Sequence, residues 1–217
     1  MSITVFLADD HTVVREGLRA LLETQEDIEV VGEATNGRDA TTLGIELCPD
    51  VAILDIAMPA LNGIEVALRL RARRPFTRII IMSMYSTHEH VSRALRAGAE
   101  GYLLKESAGA EIIEAVRSVQ KGHRFLSQKI SDIVIEDYSD PSGVIDATSP
   151  LARLSLRERE ILQLVVEGRS SVDIAEIINV SSKTVDTYRS RLMRKLKIKD
   201  IPTLVKFALR CGVISLE

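Results

Sequence analysis

Five polar side chains in the first half of the chain are spaced for one kind of chemistry. Asp9 and Asp10 follow the apolar run Ile3–Ala8, Asp55 follows Val51–Leu54, Ser83 ends Arg78–Ser83, and Lys105 follows Gly101–Leu104. Three carboxylates brought together cannot all stay ionised without a cation. A donor set made only of oxygen, with no His or Cys, suits a hard ion, and Mg²⁺ is expected. A carboxylate can also accept a phosphoryl group and become an acyl phosphate. A hydroxyl (Ser83) and an ammonium (Lys105) beside it would then hold the phosphoryl oxygens.

For these residues to meet, their strands must be parallel neighbours. The runs above, with Glu29–Ala34, are short and almost continuously apolar, as strands buried on both faces are. Helical spacing lies between them, in Val14, Leu18, Leu21 and Leu22, then Ala40, Leu43 and Leu47, then Ile64, Val66, Ala67 and Leu70. Val91, Ala94 and Leu95 mark a fourth helix, and Ile112, Ile113, Val116 and Val119 a fifth. Asn62 followed by Glu65 reads as an N-cap box. Five such units make an α/β fold, a (βα)5 doubly wound parallel sheet with its ligand site at the carboxyl ends of the strands.

The chain changes character after this. Residues 1–121 carry 13 Lys+Arg against 18 Asp+Glu, whereas residues 151–217 carry 13 against 8. An acidic front and a basic back imply that the back meets a polyanion. The expected organisation is therefore a first domain over 1–121, a linker containing a helix (Ser127 to Tyr138) over 122–149, and an all-α domain over 150–217. In the last domain Ser155-Leu156-Arg157-Glu158 is a capping box, and Val172 to Ile178 is a short helix before the turn Asn179-Val180-Ser181. Ser181 or Ser182 then caps a helix to about Leu196, with Val185, Tyr188, Leu192 and Leu196 inward. Two short helices joined by a tight turn, the second basic on its free face, fit a helix-turn-helix. Ser182, Lys183, Thr184, Arg189 and Arg191 are placed to donate to DNA phosphates, and Asp186, Thr187 and Ser190 to face base edges, with Arg194 on the same outer face. A final helix, Ile201 to Arg210, carries the stripe Ile201, Leu204, Val205, Ala208 and Leu209, expected in part to close the core and in part, through Ile201, Leu204, Val205 and Ala208, to pair with a second copy.

Composition narrows the classes further. Hydrophobic residues make up 46% of 217 residues and the net charge is −3, which excludes a disordered chain and a uniformly basic one. With no Trp and 4% aromatics, a large aromatic ligand pocket is not expected. Cys48 and Cys211 read as reduced thiols. No apolar run is long enough to span a bilayer and Met1–Asp10 lacks a basic n-region, so a cytoplasmic location is expected.

Leu7-Ala8-Asp9-Asp10-His11, Leu54-Asp55 with Met58-Pro59 and Asn62-Gly63, Ser83, and Gly101-Tyr102-Leu103-Leu104-Lys105 together resemble the receiver domain of bacterial response regulators. The resemblance implies that Asp55 is the phosphoacceptor for a sensor histidine kinase. It also implies that Asp9, Asp10, Asp55 and the backbone carbonyl of Ala57 hold Mg²⁺, and that Ser83 and Tyr102 form a switch pair. Leu154-Ser155-Leu156-Arg157-Glu158-Arg159-Glu160, Glu167-Gly168, Ile174-Ala175, Ser181 through Tyr188 and Lys195-Leu196 are similar to the LuxR-type four-helix DNA-binding domain. A receiver ahead of it resembles NarL/FixJ-type response regulators, which implies a homodimer on phosphorylation, double-stranded DNA as partner and regulation of transcription rather than enzymatic turnover. A phosphohydrolase working through an aspartyl phosphate usually has a second Asp two residues after the first, where Ala57 stands. A regulator that uses its receiver only to dimerise, independently of phosphorylation, stays open.

Two departures matter. Glu106 stands where receivers commonly have Pro. Ala57 cannot orient a hydrolytic water and Tyr85 is placed to cover the phosphoryl group, so an acyl-phosphate lifetime longer than minutes is expected.

Overall fold

The computed structural model describes residues 2–131 and 150–214. The chain divides into two compact units. In the first, strands and helices alternate: β1 (Ile3–Ala8), α1 (Thr12–Leu22), β2 (Ile28–Ala34), α2 (Gly37–Leu47), β3 (Val51–Asp55), α3 (Gly63–Arg73), β4 (Arg78–Ser83), α4 (His88–Arg96), β5 (Gly101–Leu104) and α5 (Ala108–Gln120). A two-residue strand β6 (Phe125–Leu126) follows. All pairings are parallel and the order is β2-β1-β3-β4-β5-β6. The order reverses between β1 and β3, which opens a crevice at their carboxyl ends.

Alternate strand residues feed two cores, as the two-residue period of a strand requires. Phe6, Ala8, Leu54, Ile81 and Tyr102 point to one face, covered by α2, α3 and α4. Val5, Leu7, Ile53, Ile80 and Met82 point to the other, covered by α1 and α5. Helix starts are fixed locally. Asn62 Oδ1 accepts from the Glu65 amide at 3.1 Å, as the sequence predicts, and Asn36 caps α2 in the same way.

The sixth strand is not foreseen by the five-unit reading. β6 pairs with β5, the Ser127 amide donates to the Tyr102 carbonyl at 3.0 Å, and Ile130 is wholly buried in the first core. The first unit therefore continues past residue 121 and takes in residues assigned to the linker. The expected helix Ser127–Tyr138 begins at residue 128, and from residue 132 to 149 it and the rest of the linker fall outside the described residues.

The second unit contains α6 (Leu156–Val166), α7 (Ser171–Ile178), α8 (Ser182–Leu196) and α9 (Ile201–Arg210). The Ser155–Glu158 capping box is formed in both directions, and Ser170–Asp173 makes a second one ahead of α7. Asn179 takes the left-handed conformation (φ 54°) that ends α7, and Ser181 rather than Ser182 caps α8. Cys48 and Cys211 form no disulfide, and among the described residues no helix is long and apolar enough to cross a membrane.

Two glycines test this packing in opposite directions. A Cβ on Gly63 would lie 2.1 Å from the Asp55 carbonyl oxygen, a backbone atom that cannot step aside, whereas one on Gly17 meets nothing within 4 Å. Gly63→Ala is expected to lower stability in chemical denaturation by about 2 kcal/mol or more. Gly17→Ala, on an open face of α1, is expected to raise it by up to about 1 kcal/mol.

Candidate phosphoacceptor site and nucleic-acid interface

The strand ends bring all five predicted polar residues to the crevice. Asp9 is 2% and Asp55 1% exposed. The Lys105 ammonium lies 2.9 Å from Asp9 Oδ2 and 2.9 Å from Asp55 Oδ2, so one cation bridges two buried carboxylates. Burial pushes the Asp55 carboxyl up to about 6, and the like charge of Asp9 adds to this; Lys105 and the Ala57 amide, which donates to it, pull the other way. Burial acts to lower the Lys105 ammonium, but Asp55 and Asp9 outweigh it and hold it above its ordinary range. Asp10 sits at the rim, partly exposed. Ligand atoms of Asp9, Asp10, Asp55 and also His11 all lie within 4.8 Å of one another. This oxygen-rich cluster fits a divalent cation.

His11 also comes within reach of this cluster, a neighbour that an all-oxygen donor set leaves out. Its Nδ1 lies 2.8 Å from Asp10 Oδ1 and 3.2 Å from Asp9 Oδ1, and its amide donates to Asp9 Oδ1 at 2.8 Å. Arg15 was also missed. Its guanidinium donates to the Asp9 carbonyl at 2.8 Å and to Glu33 at 2.8 Å, bracing the end of β1. The neighbouring positions of His11 in the chain were a usable signal; the reach of Arg15 from α1 was not.

Ser83 Oγ accepts from the Tyr85 amide at 2.9 Å. Tyr102 is wholly buried, and its hydroxyl donates to the Tyr85 carbonyl at 2.7 Å. Burial pushes that phenol up to about 12, with the Ser83 hydroxyl opposing and Asp55 adding. The β4–α4 segment is thereby tied to both proposed switch residues. Among the described residues no peptide bond is cis, the Lys105–Glu106 bond included. Glu106 instead pairs with Lys129 at 2.9 Å.

In the second unit the inward stripe of α8 is as expected, with Val185 and Leu192 buried and Tyr188 and Leu196 partly so. Ser182, Lys183, Asp186, Thr187, Ser190, Arg191 and Arg194 are exposed, and Thr184 and Arg189 partly so. Two of them are tied to α7. Ser171 Oγ donates to Asp186 Oδ1 at 2.7 Å and accepts from the Arg189 guanidinium at 2.8 Å. Lys195 is spoken for as well, 2.6 Å from the buried Glu158. The proposed pairing stripe on α9 needs a larger correction. Leu204 and Ala208 are 0% exposed, because α9 packs on α6, and they have no surface to give a second copy. Ile201, Val205 and Leu209 remain partly exposed.

A parallel sheet with a Lys-bridged acidic crevice, followed by a helix-turn-helix unit, defines a transcriptional response regulator. Residues 5–117 match the response regulator receiver domain, and residues 152–208 match the LuxR family of bacterial regulatory proteins. The chain is 38% identical over 210 residues to the oxygen regulatory protein NreC of Staphylococcus epidermidis, covering 95% of this chain and 96% of that one. It is 36% identical over 217 residues to the transcriptional regulatory protein MctR of Rhizobium johnstonii, covering 98% and 96%. Among solved structures it is similar to the RcsB response regulator of Salmonella typhimurium (TM-score 0.59, 30% identity, 97% and 98% covered) and to an RcsB–DNA complex (TM-score 0.59, 30% identity, 95% and 98% covered). The chain belongs to the two-component response regulators that join a receiver domain to a LuxR-type DNA-binding domain.

The raised Asp55 carboxyl has a consequence for stability. In the unfolded chain it loses its proton near 3.8, in the folded protein near 6, so between these values the folded state holds the extra proton. Its contribution is favourable at low pH and is lost as pH rises through about 4 to 6. Without divalent cations, Asp55→Asn is expected to be more stable than the parent at pH 7 by on the order of 2 kcal/mol. The gain should shrink toward zero near pH 4 in thermal unfolding. An unchanged midpoint at pH 7 would show that the pocket is not strained by its charge.

Proposed function

We propose that Asp55 accepts a phosphoryl group from a sensor histidine kinase, and that this promotes dimerisation and sequence-specific binding to double-stranded DNA. The observation that carries the reading is the single Lys105 ammonium bridging Asp9 and Asp55. A carboxylate attacks phosphorus, the bond from phosphorus to the donor breaks, and the added charge sits on the phosphoryl oxygens. Lys105 is already within reach of Asp55 to meet that charge. Ser83 would give up the Tyr85 amide to contact a phosphoryl oxygen, and the Tyr102 hydrogen bond to Tyr85 carries that movement into β5. Asp9, Asp10, Asp55 and the Ala57 carbonyl would hold Mg²⁺, which supplies charge neutralisation for phosphoryl transfer. The reaction belongs to a cytoplasmic signalling protein that turns over no substrate of its own.

The receiver would span residues 1–121 with the 125–131 segment added to it, the linker would follow, and the DNA-binding domain would begin at 150. On that domain Ser182, Lys183, Thr184, Arg189 and Arg191 would contact phosphates. Thr187 and Ser190 would read base edges together with Asp186, whose carboxylate must first release Ser171. Arg194 adds charge at the far end of the helix, and Ile201 and Val205 offer the remaining apolar area for a second copy.

The deciding experiment selects binding sites from random DNA fragments with and without Mg²⁺ and beryllofluoride, a phosphoryl mimic. A two-fold-related site enriched only with the mimic, and not by Asp55→Asn, supports the reading. Equal enrichment in both conditions would favour a receiver that only dimerises. Separately, Lys183→Ala and Arg191→Ala should each reduce the slope of log affinity against log salt by about 0.9, as loss of one phosphate contact does. Lys195→Ala should instead lower the thermal midpoint, because it leaves Glu158 buried without its cation.

A further inference from the structure

His90 lies outside the pocket motif, yet the structure ties it to the phosphoacceptor site through Tyr85. Three contacts fix Tyr85. Its amide donates to Ser83 Oγ at 2.9 Å, its carbonyl accepts from the Tyr102 hydroxyl at 2.7 Å, and its ring stacks on the His90 imidazole. The ring centroids are 4.5 Å apart and the planes differ by 10°. The first two contacts hold only the backbone. The third is the contact of the ring itself, on His90.

His90 is itself held firmly. It sits in the first turn of α4, 5% exposed, with Nδ1 2.6 Å from the Thr87 hydroxyl. Its Nε2 is buried with no hydrogen-bond partner among the described residues. A nitrogen left unpaired inside a protein works against stability, so hydrogen bonding on that side does not account for the imidazole. Its flat face against the Tyr85 ring does. Burial, with Arg93 adding, pushes the imidazole down to about 4, so it stacks as the neutral ring. On the other side, the Tyr85 phenol is held up first by burial and then by the charge of Asp55, which places it within electrostatic reach of the phosphoacceptor.

We propose that His90 is a positioning residue that keeps the Tyr85 ring across the mouth of the Asp55 pocket and so slows hydrolysis of the acyl phosphate. The proposal rests on Asp55 being phosphorylated. In that hydrolysis a water oxygen bonds to phosphorus, the bond from phosphorus to the Asp55 carboxylate oxygen breaks, and the water proton leaves with inorganic phosphate or to solvent. A ring over the pocket restricts the approach of that water. Ala57 offers no side chain to guide it, so access is the step that remains to be controlled.

The test loads the full chain with ³²P from labelled acetyl phosphate and Mg²⁺, then follows loss of label in the parent, Tyr85→Ala, His90→Ala, His90→Phe and the double Tyr85→Ala/His90→Ala. Loss of a stacked aromatic pair converts to about a three- to ten-fold faster decay. That acceleration is expected for each alanine variant. His90→Phe, which keeps a flat ring, should stay near the parent, and the double variant should decay no faster than Tyr85→Ala alone. A merely structural His90 would act equally in both backgrounds, and that additivity, or an unchanged rate in His90→Ala, overturns the proposal. Should His90→Ala not fold, His90→Leu, which keeps bulk without the stacked ring, takes its place and must decay faster. A parent that takes up no more label than Asp55→Asn overturns the phosphoacceptor reading itself, a result distinct from equal decay rates.

Discussion

One largely covered ammonium shared by two buried carboxylates organises this molecule. Asp9 and Asp55 end adjacent parallel strands, and their charges would repel without Lys105 at 2.9 Å from each. Removing Lys105 would strand two like charges in a poor solvent, which is far costlier than losing a surface pair. The sheet order serves it. With β1, β3, β4 and β5 as successive parallel neighbours, all these ends lie at one edge. Even so, the balance is incomplete, since Asp55 remains harder to ionise than an ordinary carboxyl. A site with negative charge in excess is ready for a cation, and ready to change when a further anionic group arrives.

Much of this was legible in the chain. Continuous apolar runs ending in Asp, Ser and Lys reported both the strands and their common edge, because burial on two faces removes the usual alternation. The caps at Ser155 and, to within one residue, at Ser181 were equally visible, as their partners lie three residues on. What escaped depends on docking. β6 is two residues long and has no period to detect. The hydrogen bonds from Ser171 to Asp186 and Arg189 join residues 15 and 18 apart, and exist only once α7 lies on α8. The stripe on α9 reads as apolar, but no stripe states which helix covers it, and α6 takes Leu204 and Ala208.

The basic charge of the second unit sorts into two kinds once its partners are seen. Lys195 neutralises Glu158, whose other bonds close the start of α6, and Arg157 neutralises the buried Glu160. These cations are committed to the fold. Lys183, Arg191 and Arg194 stand on the exposed face of α8. A net positive count therefore overstates what is available to a polyanion, and what remains stands on the exposed side of one helix.

The two-residue strand β6 has a bearing on association. An open parallel sheet ends in a row of unpaired amides and carbonyls that can recruit a strand from another molecule. Here that row on Gly101 and Tyr102 is occupied by Phe125 and Leu126, with Ser127 holding the Tyr102 carbonyl and the Leu104 amide. The polypeptide leaving the receiver thus plugs the edge of the sheet it has just completed. Peeling it away would expose a sticky seam beside the signalling pocket, so solubility of the first unit depends on residues that a domain boundary at 121 would discard.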